Sequence, residues 1–127
     1  KKTYDTWQQG LLQIFEAVLD NKPFIMNVYR SVSREQVETY LYKLTYELLI
    51  GVVREKAAGM SVREEDMDFI ATVYQYAFVG LMLDWIKNDM KGEPEVIVDR
   101  LAQVMHGNVT AALERLRIDK DPSNSPE

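Results

Sequence analysis

A chain of 127 residues with 46% hydrophobic and 28% charged content is sized for one domain around a real core. Its net charge of -5, with no run of Lys or Arg, speaks against this polypeptide binding nucleic acid by itself. The absence of cysteine excludes disulfides and thiolate chemistry and fits a cytoplasmic protein.

Helical periodicity runs through the chain and no strand pattern emerges. The first segment, about 4–19, repeats Trp7, Leu11, Ile14, Phe15, Val18 and Leu19 at helical spacing. Asp20-Asn21-Lys22-Pro23 ends it, because Pro cannot continue a helix. A short segment over 24–32 follows, with Phe24, Val28 and Tyr29 facing inward.

Ser33-Arg34-Glu35-Gln36 has the form of a capping box and opens a long helix to about Ala58. Its expected inner stripe is Val37, Tyr40, Leu41, Leu44, Leu48 and Val52. Gly59 suits the left-handed position just past the helix end. Ser61-Val62-Arg63-Glu64 reads as a second box, opening a helix over about 62–89. The acidic cluster Glu64, Glu65, Asp66 and Asp68 then complements the helix dipole rather than serving acid–base chemistry.

This fourth helix is apolar on nearly every side from Phe69 to Leu83. That uncharged run of 15 residues is short of the roughly 18–20 of a membrane span, so no membrane association is expected. After Lys91-Gly92-Glu93, Pro94 suits the first turn of a last helix to about Arg117. Val96, Ile97, Leu101, Val104, Met105, Val109, Leu113 and Leu116 form its stripe. Residues 119–127 are polar and Pro-rich and are expected to be disordered.

The fold expected is all-α: a bundle of four to five helices spanning 1–118. One chain of this length leaves part of the 62–89 helix uncovered, and large apolar faces are rarely left wet. A homodimer follows, with the last two long helices of each subunit forming an intersubunit four-helix bundle. Phe78, Leu81, Trp85, Leu101, Val104 and Met105 are its expected interface, with Gly80 permitting close backbone approach. Asp84 would pair across it with Arg115 or Arg117.

The segment YQYAFVGLMLDWIKNDMKGEPEVIVDRLAQVM resembles the C-terminal half of TetR-family transcriptional regulators of the type common in Firmicutes. Tyr76, Gly80, Trp85, Ile86, Pro94, Glu95 and Leu101 carry the likeness. It implies an effector-binding and dimerisation domain. The family's N-terminal helix-turn-helix domain is not found in these residues, so DNA contact would come only through that missing part. The effector would be a small apolar or amphipathic molecule.

Its expected pocket lies between the first helix, the 33–58 helix and the N-terminal half of the next. Candidate wall residues are Trp7, Leu11, Phe15, Tyr40, Leu44, Phe69, Val73, Tyr74 and Ala77. Tyr40 and Tyr74 supply hydroxyls, and Met26, Met60, Met67 and Met82 suit an adaptable interior. The rival reading is a helical module that binds a protein co-regulator and no small molecule. No metal, cofactor or catalytic set is expected: His106 is the only histidine, and no phosphate loop or nucleophile triad appears.

Overall fold

The computed structural model describes residues 6–119. The expected helix start at Tyr4 and the tail beyond Asp119 lie outside the described residues. Among those described there is no strand, and six helices form the chain: α1 (Thr6–Asp20), α2 (Lys22–Tyr29), α3 (Arg34–Lys56), α4 (Glu64–Lys87), α5 (Pro94–Met105) and α6 (Asn108–Leu116).

The α3–α4 pair is the spine. Three links show it to be antiparallel, since they step back along α3 as they advance along α4. Arg54 pairs with Glu64 at 3.4 Å, the Tyr46 hydroxyl donates to Asp68, and Gln75 Nε2 donates to the Tyr42 carbonyl at 2.9 Å. The Asp68 carboxylate raises the Tyr46 phenol above its ordinary range, chiefly by accepting that hydrogen bond. α1 packs on α3 and α5, α2 on α3, and α6 reaches both α3 and α4.

Leu11, Phe15, Leu41, Phe78, Ile86, Val98 and Leu113 are fully buried and join every helix but α2 into one core. Gly10 lies where α1 meets α3 most closely: a Cβ there would stand 2.3 Å from a Leu48 methyl. α2 adds Ile25 and Met26 to the same core.

The helix ends differ from the capping boxes expected of Ser33 and Ser61. Neither α3 nor α4 has a side-chain N-cap bond. At the α2–α3 corner the Arg34 Nε donates to the Tyr29 carbonyl and its guanidinium lies 4.3 Å from the Tyr29 ring. α4 begins at Glu64, and the carbonyl of Ser61 accepts instead from the Ile118 amide at 2.8 Å. A long-range backbone tie has taken the place of a local cap. Next to it Arg117 bridges Glu114 and Asp119 at 2.7 and 2.8 Å, and holds the Asp119 carboxyl down at about 2. The acidic first turn of α4 is present as expected, with Glu64, Glu65 and Asp66.

Gly59 takes a φ of +84°, as a glycine past a helix end should. The α4–α5 turn uses Asp89 and Met90, both left-handed at φ 62° and 56°. Such a pair of non-glycine residues is costly, and its surroundings hold it in place. Met90 is buried, its amide donates to the Trp85 carbonyl, and Lys22 at the start of α2 and Arg30 just past its end reach the Asp89 carboxylate.

The last long helix expected over 94–117 is two helices. His106 is extended and Gly107 left-handed at φ +75°, so the chain turns before α6. Gly107 makes the reversal possible, and the apolar spacing across it (Leu101, Met105, Val109, Leu113) hides it from a periodicity reading.

By length and composition α4 is apolar enough to cross a membrane, although the uncharged run alone seemed short; 39% of that window is buried inside the protein. Ile70, Ala71, Phe78, Val79, Met82, Trp85 and Ile86 bury one side of α4 against its neighbours, which is the pattern of a core helix.

Candidate functional site

Two surfaces meet on α4. The inner one starts from Phe78. Its ring lies 5.8 Å from that of Trp7, in the first turns of α1, and 6.3 Å from Tyr74. One and two turns further along, Trp85 packs edge-on to Phe15 at 5.0 Å and donates its indole N–H to the Gly92 carbonyl at 3.0 Å. The aromatic contacts therefore enclose Phe15 completely and Trp7 incompletely.

The incomplete part is a cavity of about 260 Å³ under the α5–α6 break. Trp7, Phe78, Leu49 and Val52 make its apolar side, and Gln8, Lys56, His106 and Thr110 its polar side. Among the described residues, no Asp or Glu lines it. Among the described residues, no ion pair engages Lys56. The break itself shapes the cavity, because a straight α5–α6 helix would not present His106 and Gly107 there.

The outer surface of α4 is an apolar stripe at helical spacing. Phe69 is 67% exposed and Tyr76 62%, with Val73 and Leu81 also exposed and Gly80 open to solvent. Leu81 leads into a groove of about 490 Å³ between α4 and α5, which continues through Val96, Leu101 and Val104, the last 76% exposed. Asp84 and Arg100 share this groove. A third concavity of about 330 Å³ lies between α1, α2 and α3, beside the exposed Phe24 and Tyr40.

The candidate pocket residues do not come together. Trp7 alone lines the cavity. Leu11 and Phe15 are closed into the core, while Leu44 and Tyr74 are half-buried. Phe69, Val73 and Ala77 lie on the outer face of α4, and Tyr40 belongs to the α1–α3 concavity. The physical reason is helical phase. With apolar residues all round α4, its sequence does not say which side faces α3, and the side actually buried runs through Ala71, Phe78, Met82 and Trp85.

The same phase moves two of the candidate interface residues inward. Phe78 is fully buried and Trp85 is 4% exposed, both held by their own protomer. Leu81, Leu101 and Val104 do line the open groove, and Met105 lines the cavity. Arg117 is engaged by Glu114 and Asp119, so it is not placed to meet Asp84 from a neighbouring chain. Sequence reasoning missed Gln8, Lys56, Gly107 and Thr110, and weighed His106 only as a metal ligand. The one available signal was the Gly107-Asn108 pair, which interrupts an otherwise regular stripe.

Among the described residues no group of three or more His, Asp or Glu side chains is arranged to hold a metal ion. Comparison with known families finds that the one described as transcriptional regulator C-terminal region matches residues 5–107, most of the chain. No curated protein and no solved structure matches it.

Proposed function

The chain belongs to the TetR-type family of transcriptional regulator C-terminal regions, and from that premise we propose that it dimerises a cytoplasmic regulator and receives its effector. It works without catalysis or a cofactor. DNA is contacted only through an N-terminal domain outside these residues, and residues 1–118 form the effector-binding and dimerisation unit.

One observation carries this reading: α4 serves both surfaces. Its inner side contributes Phe78 to the cavity under the α5–α6 break, and its outer side offers Phe69, Val73, Tyr76 and Leu81. A second copy covering that outer side, with its own α4 and α5, completes an intersubunit bundle. A stable interface of this kind takes about 800 Å² from each partner. A ligand beside Phe78 then acts on the helix that holds the two subunits together. It shifts the arrangement by its difference in affinity between two states, typically about 1–3 kcal/mol.

A second reading keeps the dimer and replaces the small molecule by a protein co-regulator. The filled core around Leu11, Phe15 and Leu41 and the exposed Phe24 (68%) favour it. Native mass measurement of the protein purified from cells separates the two. A dimer carrying a retained small molecule supports effector binding, and a bare dimer favours the co-regulator. A bare monomer removes both.

A further inference from the structure

We infer that the cavity under the α5–α6 break takes a small aromatic or short-chain carboxylic acid, with its apolar body against the open part of Trp7 and its carboxylate on the Lys56–His106 side. The inference rests on the effector reading above and names the chemical class of the ligand.

Three features of the cavity point to it. The first is charge. The protein carries a net charge of -5, with 20 acidic side chains against 15 basic ones. Yet among the described residues no carboxylate lines this cavity, while Lys56 and His106 both do. Acidic residues are spread over the other surfaces: Glu64, Asp66, Asp89 and Asp119 each engage a cation elsewhere. A pocket of opposite sign in an acidic protein selects anions, because it gathers them where the rest of the surface repels them.

The second feature is the division of the walls. Trp7, Phe78, Leu49 and Val52 give one apolar side, and Gln8, Lys56, His106 and Thr110 give one polar side. An amphipathic molecule with a single polar end matches that division. A neutral hydrocarbon would offer no charge to Lys56. A polyanion would leave the aromatic side with nothing to cover.

The third is size. A cavity of about 150 Å³ suffices for benzene. The volume here, about 260 Å³, adds room for a short arm and one carboxylate. It stays below the roughly 300–1,000 Å³ of sites that take larger ligands, which excludes nucleotides, long acyl chains and peptides.

The test uses 3-phenylpropionate and its neutral amide, 3-phenylpropionamide, as probes of matched shape. Each is titrated calorimetrically into the 127-residue protein and into its Lys56→Gln variant. The acid should bind the unaltered protein about tenfold more tightly than the amide, the margin of a charge-assisted hydrogen bond. Lys56→Gln should bring the acid close to the amide and leave the amide's affinity alone. Equal binding of acid and amide to the unaltered protein overturns the carboxylate assignment and leaves the effector site standing. An acid preference that survives Lys56→Gln overturns the placement of the carboxylate. Binding of neither compound overturns this inference and the effector reading of the cavity together.

Discussion

Among the described residues Thr45 is the one buried polar side chain, fully enclosed on α3, and its hydroxyl makes no hydrogen bond there. The buried stripe of α3 runs Val37, Leu41, Thr45, Leu49 and Val53, strictly four apart. The sequence suggested Tyr40 and Leu44 as inner positions, because they are the larger and more apolar side chains. Helical phase decides against size here: Tyr40 is 48% exposed and Thr45 takes the inner place. A buried hydroxyl without a partner costs about 1–3 kcal/mol. Valine has nearly the same shape and no hydroxyl. Thr45→Val should therefore raise stability by about 1 kcal/mol, or about 3–5 °C in Tm for a domain of this size. Thermal unfolding followed by circular dichroism reads this directly. A fall of similar size would mean that the hydroxyl finds a partner in solution.

At the scale of elements, the helical type and the rough limits of the first four helices were legible because Pro23, Gly59 and Pro94 punctuate a strong period. The phase of α4 was not, since a helix apolar all round carries no directional signal. Nor was the division of the last helix, since the stripe keeps its spacing on both sides of Gly107. Two glycines make this division testable. A Cβ at Gly107 or at Gly51 would meet nothing within 4 Å, so neither substitution is resisted by packing. Gly107 is left-handed at φ +75°, where an L-residue costs about 1–2 kcal/mol. Gly51 lies inside α3, where alanine gains about 1 kcal/mol over glycine. Gly51→Ala should stabilise the protein and Gly107→Ala should destabilise it, each by about 1 kcal/mol in denaturant unfolding. If Gly107→Ala instead stabilises, α5 and α6 join into the single helix that the apolar spacing suggests, and the cavity loses its roof.

At the scale of the whole molecule, the six described helices do not enclose α4. The core uses one side of it, and the stripe of Phe69, Val73, Tyr76 and Leu81 remains open. Burying apolar area is worth about 25 cal/mol per Å², so a second copy seated there gains what a lone protomer forgoes. The need for cover was readable in the sequence from the composition of α4, but the residues providing the seam were not. Phe78 and Trp85, the largest candidates, are consumed by the protomer's own core, and smaller neighbours are left outside. Gly80 offers a clean test of what covers the stripe. Within the protomer it is equivalent to Gly51, since both lie inside exposed helix faces with no atom near a built Cβ. The two alanine substitutions should therefore stabilise an isolated protomer alike. A neighbouring backbone packed closely on α4 breaks that equivalence, because Gly80→Ala adds a methyl group at the seam and Gly51→Ala does not. Sedimentation equilibrium should find dimerisation weakened by Gly80→Ala and unchanged by Gly51→Ala. Leu81→Glu places a charge in the same seam and should yield a folded monomer, with helical content retained because Leu81 is already 43% exposed. If all three variants dimerise as the unaltered protein does, the α4 stripe is not the surface that joins the two copies.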